Sequence, residues 1–536
     1  MNKNMHMKPI GAFLLVCFIM ISGCQKDILK EDPQGFLSPN NTFKDKAGFE
    51  SALSHLYRVS RATRTVEMVT AEGDKKMTII YGSGTDLGWY WDKKLLYSDY
   101  ALINPTDGMA TDYWNILFGL VKDCNVIISR LKESTLTESD RQYIGAHARF
   151  FRAYAYRFLA HLYGDVPKIE DEITSPKNDY VRVPKSEILA FMIADLEFAT
   201  KYLPVANAGV GKLSKAAADH LLAETYISAG DHDKAIEAAT RVISDPQYKL
   251  MTARFGAFSN RPGDVFWDMF RLGNQNRTAG NMESILVWQM EFGVVGGEVA
   301  YTFEREWGPF IEPLLDSDNK KAIMPADSLG RPGGFFCPGP YLEFDIWQSD
   351  FNNDIRNSPF NMQRVFWNNN PASREFGQPI KPRPEWLNRN YHVWIKKASS
   401  PTGHPQGYDV GGRLYTDIYA MRLAETILLR AEAYLGKSDK VKAAADINLV
   451  RARANARPVD AASVNIDYLL DERARELVGE EPRRLTLARL GKLYERVVKY
   501  NAVSKNSIKP FHNLLPIPQT AIDANAGAVL KQNEGY

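Results

Sequence analysis

The stretch Leu213–Pro246 limits most tightly what this chain can fold into. It reads as two helices joined by a tight turn. Ser214 stands where it can cap the first helix, offering a side-chain oxygen to the free N–H groups of the first turn. Gly230 supplies the positive φ that ends that helix. Asp231 caps the second helix, and Pro246 stops it. Ala223, Tyr226, Gly230, Ala235, Ala239 and Pro246 follow the spacing of a tetratricopeptide unit. The small residues let two antiparallel helices approach closely, and the tyrosine fills the gap beside them. One such unit cannot bury its apolar face alone. A second candidate lies at 421–454, with Leu428, Ala431, Tyr434, Gly436 and Ala443–Ala445. The long segment between them has a different texture, so the two units read as a scaffold and that segment as what it carries.

The chain opens with an export signal. Lys3 and Lys8 form a basic start, and Ile10 to Ile21 is an unbroken apolar run, short for a bilayer span. It ends in Ile21-Ser22-Gly23-Cys24, the pattern of a bacterial lipoprotein signal cut before a cysteine that receives lipid. The expectation is a soluble body held to a membrane by acyl chains alone, each buried CH₂ contributing roughly 0.8 kcal/mol. Removing residues 1–23 takes away two lysines and no acid, which leaves cations and carboxylates equal in number. A neutral mature chain gives no reason to expect nucleic acid as a partner. Apart from Cys24, the mature thiols are Cys124 and Cys337, far apart in sequence. One disulfide is possible, and two simply buried thiols are the plainer reading.

Periodicity organises the rest. Residues 24–42 are polar, with Pro33, Gly35 and Pro39, and read as a spacer. A helix is predicted from 41/42 to about 60, with Phe49, Leu53, Leu56 and Tyr57 on one face. Others are predicted at about 111–133, 138–163, 185–202, 467–480 and 483–499. In 138–163, Ile144, Ala148, Phe151, Ala155, Phe158 and Leu162 step by three and four before a Gly164…Pro167 stop. From 251 to 412 glycine and proline recur, and seven of the ten tryptophans gather: Trp267, Trp288, Trp307, Trp347, Trp367, Trp386 and Trp394. Loops, short helices and short strands such as 391–397 are expected there. A loop region of this length inside a folded body is usually functional. The organisation is thus 1–23 signal, 24–42 spacer, 43–250 helical scaffold, 251–412 irregular insert and 413–536 second scaffold part with a tail.

No catalytic motif stands out. The chain has no His-Glu-x-x-His, no Gly-x-Ser-x-Gly and no zinc-type cysteine pair. Gly209-Val-Gly-Lys212 lacks the upstream glycine and the following Ser/Thr of a phosphate loop. His147, His161 and His220 sit within predicted helices and read as packed residues. Glu480-Glu-Pro-Arg-Arg484 reads as a solvated helix junction. No cofactor or metal is expected.

The aromatic residues carry more information. Tyr81 to Asp92 holds three glycines and the run Trp89-Tyr90-Trp91. No helix or strand period puts three neighbours on one face, so some of these rings are expected in solvent at a loop tip. A flat exposed ring can stack on the apolar face of a sugar. The candidate ligand-binding residues are Trp89, Tyr90 and Trp91 with Asp86 as a hydroxyl partner, and Trp288, Tyr301 and Trp307 in the insert, followed by Trp347 and Trp367.

Together these features resemble the SusD/RagB family of outer-membrane nutrient-binding lipoproteins of Bacteroidetes. Beside the lipoprotein signal, the marks are Arg149-Phe-Phe-Arg-Ala153 running to Gly164-Asp-Val-Pro167, Leu429-Arg-Ala-Glu-Ala-Tyr434 and Asp471-Glu-Arg-Ala-Arg-Glu-Leu477. Pro516-Ile-Pro518, Gln532-Asn533 and Gly535-Tyr536 close the pattern. Thr486 and Ala526 depart from it, where the family often has Asp and Pro. The resemblance implies a mainly α fold, a tetratricopeptide-like scaffold of eight helices with a large irregular insert. It implies a surface-exposed, lipid-anchored protein of the outer membrane, beside a SusC-like TonB-dependent transporter, that captures oligosaccharides. It implies binding and not catalysis, and it places a ligand-contacting loop where 81–92 falls. Two alternatives stay open, the same architecture binding oligopeptides and a non-catalytic helical-repeat interaction scaffold.

Overall fold

The computed structural model describes residues 43–65, 79–95, 97–205, 209–297, 303–326, 329–399 and 414–536. Cys24, the signal and the spacer lie outside the described residues, as does Tyr301. The fold is mainly helical. Its longer helices are α1 (Lys46–Ala62), α2 (Gly108–Glu133), α3 (Glu138–Leu162), α4 (Lys185–Tyr202), α5 (Lys215–Ala229), α6 (His232–Ile243), α7 (Leu423–Gly436), α8 (Lys440–Arg453), α9 (Ile466–Leu477), α10 (Arg483–Arg489) and α11 (Leu493–Tyr500). No described helix is long and apolar enough to cross a membrane.

Each helix from α2 to α6 packs on the next, and α6 then packs on α7, which packs on α8. The stack therefore continues across the insert as if the insert were absent. Local chemistry explains the turn within the opening unit. Gly230 takes φ +82 and ends α5, and the Asp231 carboxylate accepts from the Lys234 N–H at 3.2 Å to start α6. Ser214 precedes α5 without a side-chain cap; its hydroxyl lies 3.3 Å from the Tyr248 hydroxyl instead. At the seam between the two halves Gly436 lies against His232, where a Cβ would come within 2.4 Å of the ring. Arg430 donates to the Thr240 hydroxyl at 3.1 Å in the same place.

Helix α3 is buried almost all round from Ile144 onward, since α2, α4 and α1 cover it. His147, His161 and His220 are packed as expected, each 1% exposed. Cys124 and Cys337 are both free and buried. The helix predicted over 483–499 is two helices, because Gly491 adopts φ +65 between them. The tail closes back on α3, with the Leu515 N–H donating to the Leu162 carbonyl at 2.6 Å and the Asn533 amide to the Tyr163 carbonyl at 2.9 Å.

Three short antiparallel ribbons shape the rest: β1 (Gly88–Tyr90) with β3 (Phe336–Pro338), β2 (Ser284–Trp288) with β6 (Ile418–Arg422), and β4 (Met362–Gln363) with β5 (Trp394–Ile395). The second ribbon pairs Trp288 with Ile418 and Ser284 with Arg422, forming a neck below most of the insert. Above it, Ile311, Leu314, Ile323, Phe366, Ile380, Trp386 and Trp394 build a small core of their own. Glu480–Arg484 is not a solvated junction. Arg483 and Arg484 are fully buried, and Glu481 is 3% exposed and receives Arg473 and Arg483 at 2.7 and 2.9 Å.

Candidate functional site

The segment Tyr81–Asp92 enters the body and does not form an open tip. β1 runs antiparallel to β3, pairing Trp89 with Cys337 and Tyr90 with Phe336. Glycines permit this approach. Gly84 has φ +74, and a Cβ on Gly88 would stand 2.1 Å from the Cys337 carbonyl oxygen. Asp86 is fully buried and accepts from Arg483 at 2.9 and 2.6 Å and from Arg496 at 2.6 Å. Burial works against its charge, but the two guanidiniums prevail and hold its carboxyl below the usual range. It ties the segment to α10 and α11 and has no free oxygen face for a sugar hydroxyl.

The expected exposure of the rings is corrected in most cases. Tyr90 is 1% exposed and packs beside Phe335. Trp288 lies in β2 against Tyr154, and Trp307 is wholly enclosed by Phe303 and Phe336. These side chains fill the joint between scaffold and insert, so none offers a stacking face. Trp89 is largely buried, its indole N–H donating to Asn388 at 2.9 Å. Trp91 is the most open of that run. Even so, the Arg389 guanidinium lies 4.1 Å from its ring centroid, and Asn388 donates to its carbonyl at 2.9 Å. Residues 388–389 thus fasten the 81–92 segment to the insert.

One tryptophan does stand in solvent. Trp367 is 57% exposed, whereas Trp347 is 1% exposed. Its place follows from strand alternation. Phe366 turns inward to the small core, Trp367 turns outward, and Asn368 turns inward again. The Ile380 N–H bonds to the Phe366 carbonyl at 2.8 Å, and the Asn368 N–H to the Gln378 carbonyl at 2.9 Å, which makes 366–380 a hairpin. Buried Asn368 donates to the Ser373 hydroxyl at 2.8 Å, and Ser373 to Asp316 at 2.5 Å. Asn369 and Asn370 tie the same hairpin to the carbonyls of Met324 and Lys321. Phe376, in the turn of that hairpin, is also more than half exposed. Two large apolar rings are thereby held on a rigid, hydrogen-bonded platform. The Phe-Trp-Asn alternation is a sequence signal that points to Trp367, and it is not among the sequence signals used above.

No group of three or more His, Cys, Asp or Glu side chains placed to hold a metal occurs among the described residues. What the hairpin can do is present flat apolar surface to a ligand with a matching face.

Comparison with known proteins gives a consistent picture. The model of the SusD family matches residues 343–536, and a model described as starch-binding, associating with outer membrane, matches residues 50–227. SusD-like protein P2 of Formosa agariphila is 27% identical over 572 residues, which cover 99% of this chain and 100% of that protein. A SusD-like protein of Bacteroides ovatus is 21% identical and covers 85% of this chain and 78% of its own length. Among solved structures, a laminarin-binding SusD-like protein superposes with a TM-score of 0.68 at 22% identity, covering 92% of this chain and 100% of that one. Surface glycan-binding protein A from Bacteroides thetaiotaomicron, in complex with laminarihexaose, gives a TM-score of 0.68 at 21% identity, covering 90% and 98%.

Proposed function

This chain belongs to the SusD family, and we propose that it captures oligosaccharides at the cell surface and passes them to a SusC-like TonB-dependent transporter. In this reading Cys24 carries the lipid that holds it to the outer membrane, and the protein binds its ligand without altering it. The observation that carries the proposal is the exposed Trp367 on the pinned hairpin of the insert, whose turn also exposes Phe376.

The energetics suit capture and release. Covering one face of a tryptophan, about 100 Å², contributes about 2.5 kcal/mol at ~25 cal/mol/Å². The two exposed rings, Trp367 and Phe376, give at most about 5 kcal/mol before the cost of immobilising the sugar, which leaves weak binding, on the order of millimolar. Laminarin is the first ligand to test, because one protein of similar fold is described as laminarin-binding and another is seen in complex with laminarihexaose.

The test is affinity electrophoresis of the mature chain in gels containing laminarin, other polysaccharides or peptide mixtures, with Trp367→Ala alongside. Retardation by a glycan that weakens in the variant supports the reading. Binding of peptides alone overturns it in favour of an oligopeptide receptor. Delivery is tested separately, by asking whether the lipidated protein co-purifies from outer membranes with a TonB-dependent barrel.

A further inference from the structure

Helix α8 closes the stack, and it is apolar on two sides. Ala443, Ala444, Ile447 and Val450 face inward and are buried. Val441, Ala445, Leu449 and Ala452 are exposed, Val441 at 71% and Leu449 at 47%. Their steps of four, four and three put them on one side of the helix, so they form a continuous outward stripe. A surface helix ordinarily turns charged or polar residues to solvent. Helix α6, which holds the same place in the other repeat unit, does so, with Asp233, Lys234, Glu237 and Arg241 exposed.

The stripe lies where a further helix would continue the stack. α8 packs on α7 and on the turn at 461–463, and Asn448 exchanges hydrogen bonds with the Val459 backbone at 3.0 and 2.7 Å. These contacts cover the inner side and one flank. They leave the stripe without a partner among the described residues. The end of a helical stack needs a polar outer face to stand in solvent, and an apolar one marks a surface that another molecule covers. Side chains stepping by three and four form the ridge that packs into the groove of a second helix.

Charge selects the kind of helix. Lys440 and Lys442 flank Val441 in the first turn, and both are exposed. That end of a helix is already the positive end of its dipole, where carboxylates are the favoured residues. Lys442 meets the N-cap Asp439 at 3.2 Å, which leaves Lys440 and the helix end as an excess of positive charge. Asp446, the one carboxylate within α8, is buried and accepts from Arg430 at 2.6 Å, so it does not serve this face.

We infer that the outer face of α8 docks an amphipathic helix of a partner protein. The apolar ridge of that helix covers Val441, Ala445, Leu449 and Ala452, and an acidic end meets Lys440 and Lys442. A second copy of this chain fits the face less well, because its own α8 brings exposed lysines and no exposed carboxylate. The inference does not depend on the glycan-binding reading.

The test places p-benzoylphenylalanine at Val441 or at Leu449 of the lipidated full chain, in the cells that make it. Lys122, an exposed residue of α2, is the control position. Irradiation, followed by mass spectrometry of the cross-linked peptides, identifies what touches the face. The expected result is one adduct from both positions, to a protein segment whose apolar residues recur every three or four and whose end carries Asp or Glu. A Lys440→Glu, Lys442→Glu double variant is expected to lower the adduct yield about tenfold, since it turns attraction into repulsion. Both lysines are exposed, so this variant is not expected to lower the unfolding midpoint, which is measured alongside. No adduct above the Lys122 control overturns the inference. An adduct to a second copy, to lipid, or to a segment without helical spacing of apolar residues overturns it too, as does an unchanged yield in the double variant.

Discussion

Asp86 Oδ2 stands 2.6 Å from Arg483 Nη2, and both side chains are fully buried although 397 positions separate them. Arg496 reaches the same carboxylate at 2.6 Å. Asp86→Ala leaves two buried guanidiniums short of a partner, which costs about 3–5 kcal/mol. Urea unfolding of the variant should show that loss. If Asp86 instead served a ligand, stability would hold while binding fell.

Trp367 and Trp307 should separate in the opposite way. Trp367→Ala removes an exposed ring, so the unfolding midpoint stays put while glycan affinity falls by up to about 60-fold, the equivalent of about 2.5 kcal/mol. Trp307→Ala empties a fully enclosed site and should destabilise by about 3–5 kcal/mol. A joint measurement of unfolding and calorimetric binding on both variants checks the pair.

Acid should act in two stages. Burial is the main cause that lowers His147 and His392 to about 4, only partly offset by backbone hydrogen bonds to Tyr143 and Val393. Their unfolded value is about 6.5, so the stability they contribute is fully present above that pH and is lost as pH falls towards 4, about 3 kcal/mol apiece. Unfolding midpoints at pH 7.5, 5.5 and 4.5 should fall in the wild type and fall less in a His147→Gln, His392→Gln double variant.

The second stage belongs to carboxylates. Glu472 is buried, which opposes its charge, yet Arg356, Arg475 and Arg451 bring it down to about 2. Its folded value is below the unfolded one of about 4.3, so its stabilisation holds above that pH and disappears as pH falls to 2. Circular dichroism across pH 5 to 2 should show the main cooperative loss in this window, and Glu472→Gln should move its onset upward.

Gly230→Ala isolates backbone strain. Gly230 has φ +82 and nothing within 4 Å of a built Cβ, so the cost is conformational alone, about 1–2 kcal/mol. Gly230→Asn should recover part of it in thermal unfolding, because asparagine tolerates the left-handed region better.

The helices and their glycine stops were legible in the sequence because those signals are local. Leu213–Pro246 and 138–163 each carry their period and their ending within a few turns. The 81–92 segment is not legible in this way, because what decides its conformation is distant in sequence. β1 is three residues long and becomes a strand through Phe336–Pro338. Asp86 loses its freedom to arginines near the other end of the chain. The same reason explains Glu480–Arg484, whose charges look solvated until Asp86 and Arg473 are set beside them. Trp288 and Trp307 are buried, and the number of aromatics in a segment says nothing about which face of a joint each occupies. Trp367 is the exposed ring, and its alternation with Phe366 and Asn368 is present in the sequence.

The neck formed by β2 and β6 bears on how such a chain can change over evolution. Asp233 and Lys437 pair across the helix seam although 204 positions apart, so the scaffold meets whatever the insert contains. Closing a longer loop costs little, about 0.6 kcal/mol for each doubling of length. Residues such as those of the 366–380 hairpin can therefore be exchanged or lengthened at small cost to the helices, provided the ribbon at the base and the buried arginine contacts stay. A lineage can in this way sample new ligands by altering the cargo end of the molecule while inheriting its mount unchanged.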